Sequence, residues 1–224
     1  MRDHFLGWAS ADVDVELYDV DPRRFEQIMQ DFGAQGVGKS YFVYKYKSFD
    51  ISLPRTESKI GIGHKGFSVA LATDEHEASR RRDFTINAMA YNEKSGIVDL
   101  FQGMEDLERG EIRAVGEAEL RFREDALRML RALRFSAQLR FRIAPGTLEA
   151  VRSLARGLSR VSKERIREEL TKLLLSDSPE QMELVFQTGL APYVSEHFPE
   201  IASPSLPELS GDMEREAFLR WGML

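Results

Sequence analysis

The sequence predicts an α+β protein: a mixed β-sheet head with helices over residues 1–116, followed by an all-α neck over residues 117–224. Period-two alternation of apolar and polar residues, with turn signals between the runs, is confined to the first half. After Gly116 the apolar positions recur at three and four residues, as on helices that bury one face.

In the head, Val13, Val15 and Leu17 alternate with Asp14, Glu16 and Tyr18, the pattern of a half-buried strand. Asp21-Pro22 offers an N-cap and an N1 proline and Gly33 a stop, so a helix is expected over residues 23–32. Residues 41–46 and 49–53 are β-prone runs separated by Lys47-Ser48, a hairpin signal. Residues 54–66 read as a mobile loop. Short strands are expected at 89–91, 97–100 and 112–115, with Gly96 at a turn. In the neck, residues 117–139 read as one long helix and 145–156 as a second, opened by Pro145. Residues 162–175 carry Ile166, Leu170, Leu173 and Leu174 on one helical face. Ser178-Pro179 opens a fourth helix that Gly189 closes, and the tail from Pro199 reads as a loop before a short last helix.

Bulk properties narrow the function classes. A chain of 224 residues, 42% hydrophobic and 30% charged, can bury a real core. No apolar run reaches the length of a membrane span, and the first residues contain no signal-peptide h-region. With Cys at 0, disulfides and thiolate metal sites are excluded, which is compatible with a reducing cytoplasm. A net charge of −6 confines any nucleic-acid contact to local patches.

Two phosphate-loop patterns occur in the wrong context. Gly33-Ala34-Gln35-Gly36-Val37-Gly38-Lys39-Ser40 matches G-x-x-x-x-G-K-[ST], a loop that works between a preceding strand and a following helix. Here a helix pattern precedes it and a strand pattern follows, so a turn is expected. Gly61-Ile62-Gly63-His64-Lys65-Gly66 matches G-x-G-x-x-G, but residues 67–71 alternate like a strand instead of opening a helix.

Three other constellations carry more chemistry. Asp12 and Asp14, two apart on a strand, share a face and suit a hard divalent cation such as Mg²⁺, with Asp50 on a second strand as an assistant. Arg81-Arg82-Asp83-Phe84-Thr85-Ile86-Asn87 sets guanidiniums, a carboxylate and an amide beside a small apolar run, a grip for triphosphate and ribose. Glu124-Asp125-x-x-Arg128-x-x-Arg131-x-x-Arg134-Phe135 puts a charged stripe, with Asp125, Arg128 and Arg131 on one helix, beside a backing of Leu127, Leu130 and Leu133. Taken alone, Asp125 and Arg128 also read as a solvated ion pair.

In this order the three constellations resemble the class II tRNA nucleotidyltransferase and poly(A) polymerase family, from Met1 to about Ile201. Arg2-Asp3-x-x-Leu6-Gly7 with Asp12-x-Asp14 is similar to its catalytic motif, and Arg81-Arg82-Asp83 to its ribose and triphosphate motif. Asp99-Leu100 with Gly103 and Ile112-Arg113 is similar to its hinge-side motif, and Glu124-Asp125-x-x-Arg128 to its amino-acid template. The resemblance implies a nucleotidyltransferase-type head and a template-independent addition of CMP, AMP or both, from CTP and ATP, to tRNA 3′ ends. It implies a two-metal nucleotidyl transfer with Mg²⁺ at Asp12 and Asp14, and Asp50 assisting catalysis. Arg82 is implied to hold triphosphate, Asp83 to meet a ribose hydroxyl, and Asp125 and Arg128 to read the base edge. Arg131 and Arg134 help fix phosphates or base, and Arg2 and Asn87 complete the nucleotide-binding set.

Against the family pattern the chain is expected to be shortened at both ends. It starts at the Met in place of the Val that follows a glycine pair, and it stops soon after Phe198-Pro199-Glu200-Ile201. A binding remnant without catalysis and a poly(A) polymerase are the alternatives; the absence of an Arg-Arg-Phe segment at residues 38–42 favours the tRNA branch. The residues leave open whether CC, A or CCA is added, and they fix no oligomeric state. The expected setting is the cytoplasm, with no membrane partner.

Overall fold

The computed structural model describes residues 1–9, 13–36, 43–59, 67–72, 74–195 and 198. It divides into two compact units: Met1–Arg82 with Met89–Leu100, and Asp83–Ala88 with everything from Phe101. The α+β class holds, with a small mixed sheet in the first unit and helices dominating the second. No described helix is long and apolar enough to cross a membrane.

In the first unit, α1 (Arg2–Phe5) precedes β1 (Val13–Glu16), followed by α2 (Pro22–Asp31), β2 (Gln35–Gly36), β3 (Val43–Tyr46) and β4 (Phe49–Ser52). The sheet order is β1-β4-β3-β2, with β1 parallel to β4 and the other pairs antiparallel. Lys47 takes a positive φ of 55° at the expected hairpin turn. The expected cap is present: Asp21 accepts from the Arg23 and Arg24 amides, with Pro22 at N1. Phe25, Ile28 and Met29 lie on one face of α2 and pack with Leu53, Leu17 and Tyr44 into the unit's core. The Phe25 and Tyr44 rings meet edge-on at 5.5 Å.

The loop expected at 54–66 is corrected in part. Residues Arg55–Lys59 form β5, paired antiparallel with β6 (Phe67–Leu71). The run Arg-Thr-Glu-Ser-Lys lacks an apolar alternation, so a strand defined by its backbone ladder left no side-chain signal. The Gly61–Gly66 motif lies outside the described residues, and the strand after it is as expected. For the Gly33 motif, α2 precedes and β2 begins two residues on, the reverse of a P-loop; residues 37–40 lie outside the description. The first unit closes with α3 (Glu75–Arg80) and a hairpin of β7 (Ala90–Asn92) and β8 (Gly96–Val98).

The second unit begins with a 3-10 turn, Thr85–Asn87, then α4 (Gly103–Glu108) and β9 (Glu111–Ile112). The long helix expected over 117–139 is two helices, α5 (Ala118–Glu124) and α6 (Leu127–Leu139). The break sits at Asp125, whose backbone is extended (φ −138°, ψ 106°) and whose Oδ1 accepts from the Leu127 amide at 3.1 Å. A short acidic side chain that bonds the amide two residues on competes with helix continuation. Next come β10 (Arg142–Ile143), parallel to β9, and α7 (Pro145–Leu154), which runs into a 3-10 segment, Ala155–Arg160. The unit ends with α8 (Lys163–Leu174), a 3-10 turn at Pro179–Met182, α9 (Glu183–Gln187) and α10 (Ala191–Val194). Leu130 and Leu133 on α6, with Ile166, Leu170 and Leu173 on α8, are buried in the core of this unit.

Candidate functional site

Each unit gathers part of the chemistry anticipated from the sequence. In the first unit, Asp14 on β1 stands opposite Asp50 on β4 in the parallel ladder. Partners across a ladder project from the same face, with strands about 4.8 Å apart, so two hard carboxylates lie side by side. Asp12 lies outside the described residues. Among the described residues no group of three or more such ligands converges. A carboxylate pair nonetheless fits Mg²⁺, which commonly takes one or two carboxylates and completes its shell with water and substrate phosphates. Lys45 on β3 lies 3.1 Å from Asp50, and Arg82 lies 3.8 Å from Asp14, so the acidic pair has cations at both sides.

Glu16, one pleat further along β1 on the Asp14 face, binds the arginine pair that follows α3. Its Oε1 accepts from Arg81 Nη2 at 2.6 Å and from Arg82 Nη2 at 3.1 Å, and its Oε2 accepts from the Tyr18 hydroxyl at 3.1 Å. Burial, followed by the Glu16 charge, pushes the Tyr18 hydroxyl far above its usual pKa and keeps it a donor. Arg2, in α1, turns its Nε onto the neighbouring Asp3 at 2.7 Å.

In the second unit, Asp83 is buried, at 8% exposure. Its Oδ1 accepts from the Phe84 amide at 2.8 Å and from Asn87 Nδ2 at 3.0 Å, and its Oδ2 from Arg131 Nε at 2.7 Å. Burial alone would push this carboxyl up. The Arg131 charge and the hydrogen bonds from Asn87, Arg131 and Phe84 outweigh it and hold the group below the usual carboxylate range. The segment is braced from behind: Asp83 C=O accepts from the Val115 amide and Thr85 N–H donates to Arg113 C=O. The Thr85 hydroxyl donates to buried Asp106 at 2.7 Å, and Asp106 also takes Arg113 Nε at 3.0 Å.

The charged stripe differs from its expected arrangement. Asp125 sits in the extended link between α5 and α6, so it does not share a helix with Arg128 and Arg131. Nor do the Asp125 and Arg128 side chains pair, although the Arg128 amide donates to the Asp125 carbonyl. Asp125 Oδ2 accepts from Arg165 of α8 at 2.8 Å, while Arg128 donates to Glu124 at 2.8 Å and to the Arg121 carbonyl at 3.3 Å. Arg131 reaches Asp83 and lies 3.8 Å from Glu169. Arg134 is buried, 2.6 Å from Glu169, with its guanidinium 4.0 Å from the Phe135 ring centroid. Leu127, Leu130 and Leu133 form the buried backing as expected.

Glu16, Glu169, Arg165 and Asp106 were not singled out from sequence. Two of them left a signal. Glu169 is a carboxylate in register with Ile166, Leu170 and Leu173 on the buried face of α8, where an unpaired charge is costly. Glu16 extends D-x-D to D-x-D-x-E on one strand face.

A family model described as "Poly A polymerase head domain" matches residues 1–113, and one described as "Probable RNA and SrmB- binding site of polymerase A" matches residues 140–203. The CCA-adding enzyme of Leuconostoc mesenteroides subsp. mesenteroides is 36% identical over 224 residues, covering 99% of this chain and 56% of that protein. The crystal structure of the Bacillus stearothermophilus CCA-adding enzyme in complex with CTP is 37% identical, with a TM-score of 0.75 over 86% of this chain and 47% of that one. The Thermotoga maritima CCA-adding enzyme complexed with tRNA-CCA is 26% identical, with a TM-score of 0.68 over 86% of this chain and 45% of that one. The chain thus spans about half the length of the curated relatives it matches.

Proposed function

Because the chain belongs to the class II tRNA nucleotidyltransferase and poly(A) polymerase family, we propose that it adds CMP, AMP or both to tRNA 3′ ends without a nucleic-acid template. The observation that carries this reading is the Asp14–Asp50 pair in register on one sheet face, with Arg82 beside Asp14. The likeness to CCA-adding enzymes solved with CTP and with tRNA supports the choice of substrates.

Enzymes of this family generally use divalent metals, and in our reading the ion is Mg²⁺, held by Asp12 and Asp14 with Asp50 assisting. Bound there, two such ions would supply the charge that activates the attacking 3′ hydroxyl and neutralises the departing pyrophosphate. The chain's own groups do the rest. Arg82, with Arg2, takes the triphosphate as a fixed cation. Asp83 and Asn87 serve the ribose, and Arg131, clamped on Asp83, ties that sugar contact to α6. Asp125 accepts from an exocyclic base amine while Arg128 donates to a ring nitrogen or carbonyl, a pattern that cytosine and adenine both satisfy. Arg134, bound to Glu169, steadies α6 behind the phosphate and base contacts. Residues 1–116 serve as the chemical head and 117–224 as the neck that supplies template and RNA contacts. Such an enzyme works on tRNA in the cytoplasm.

Asp14→Ala tests the chemistry. Loss of a metal ligand should lower Mg²⁺-dependent nucleotide incorporation by roughly a thousandfold, since the ion contributes several kcal/mol at the transition state. The thermal unfolding midpoint should be retained, because Asp14 is exposed and in no core cluster. Incorporation at the parent rate would remove the proposed metal role of Asp14.

A further inference from the structure

We infer that Glu16 is the positioning residue of the triphosphate grip: it fixes Arg82 before the nucleotide arrives. This inference rests on the reading of Arg82 as the triphosphate cation. Two consecutive guanidiniums repel each other, and an anion between them is what lets both point the same way. Glu16 is that anion, with a side chain only 17% exposed and one oxygen shared by Arg81 and Arg82. Its second oxygen accepts from Tyr18, which fixes the carboxylate itself.

The two arginines are not equivalent. Arg81 is the more deeply sunk, at 16% exposure against 32% for Arg82, and makes the shorter bond to Glu16. Arg82 meets Glu16 through Nη2 and turns Nη1 toward Asp14, 3.8 Å away. One edge of its planar fork is thereby anchored and the other is turned toward Asp14, a proposed metal ligand. A triphosphate bridging metal and arginine finds that donor already placed.

An arginine held in its binding rotamer spares the ligand the cost of ordering it, a cost that corresponds to about fivefold in affinity for one long side chain. The gain belongs to the triphosphate, so it is common to every nucleotide and independent of the base. Asp14 and Glu16 thus do different work from one strand face: Asp14 faces the ion, and Glu16 faces the cation that closes on the same phosphates.

Calorimetry with Mg²⁺ and no RNA primer, using tripolyphosphate, CTP and ATP as probes, tests this on the full chain. Glu16→Gln should weaken all three by the same factor, about fivefold. Arg82→Ala should weaken them at least as much. The double variant should bind no more weakly than Arg82→Ala alone, because Glu16 acts through Arg82. If Glu16→Gln does not fold, Glu16→Asp, which keeps the charge and retracts the carboxylate by one methylene, should show the same common loss. Unchanged affinity in the folded Glu16 variants, with loss in Arg82→Ala, overturns the inference and leaves the proposed function standing. So does a Glu16 effect that adds in full to that of Arg82→Ala, or one that differs between CTP and ATP. Unchanged affinity in Arg82→Ala instead removes the triphosphate assignment on which the inference rests.

Discussion

Asp83 shows how much of the site is an electrostatic arrangement inside the protein. A buried carboxylate persists as an anion because an arginine, an asparagine amide and a backbone N–H all point at it. Its pKa in the folded protein is therefore below the value of about 3.9 expected in the unfolded chain. The stability it contributes is complete above that unfolded value and is lost as pH falls through the folded one. Asp83→Asn should cost about 2 kcal/mol at neutral pH, the range for hydrogen bonds to a charged group with a partly exposed partner. Urea melts of parent and variant from pH 7 to 3 should show this gap constant above about pH 5 and closing below about pH 4. A gap that widens on acidification would contradict the depressed pKa. Sequence named Asp83, Asn87 and Arg131, but the Asp83–Arg131 contact spans 48 positions, and no periodicity encodes it.

At the level of elements, the decisive feature is the break between α5 and α6. The three-residue spacing of Asp125, Arg128 and Arg131 reads as one helical stripe, and the sequence carries no glycine or proline to interrupt it. The interruption comes from Asp125 capturing the Leu127 amide, with Arg165 of α8 holding its other oxygen. Glu124, the last residue of α5, then reaches across the break to Arg128 in the first turn of α6. Glu124 and the Arg121 carbonyl thus hold the Arg128 guanidinium while Arg165 holds Asp125, so the two proposed template groups have separate supports. Arg128→Ala should therefore blur the choice among CTP, ATP, GTP and UTP by about tenfold, the worth of one hydrogen bond to a charged group. CTP affinity should change less, because the proposed triphosphate contacts are other residues, Arg82 and Arg2. An equal loss for all four nucleotides would contradict a template role for Arg128. Here α2, α7 and α8 were legible from apolar spacing and caps and β9 from its β-prone run, whereas α1, α3, α4, β2, β5 and β10 were not. Two-residue strands and a polar edge strand are defined by backbone pairing, which side-chain patterns do not report.

At the scale of the whole chain, the first unit holds Asp14, Asp50 and Arg82 and the second holds Asp83, Asp125 and Arg128. The boundary thus falls inside Arg81-Arg82-Asp83, the stretch in which the sequence packs its densest chemistry. Adjacent residues of one run thus belong to different units. What sequence could not supply was the pairing of Glu16 on β1 and of Glu169 and Arg165 on α8, whose partners come from distant parts of each unit. With a net charge of −6 the chain has no general attraction for RNA, so the proposed contact with tRNA has to come from local patches. The most direct measurement offers tRNAs ending before, within and at the last step of CCA to the full chain, with each of the four nucleotides separately and Mg²⁺ present. The expected result is defined incorporation of CMP, AMP or both at the ends that lack them, with GMP and UMP rejected. Absence of transfer from every nucleotide to every end, or an untemplated run of adenylates on all of them, would contradict the proposed activity.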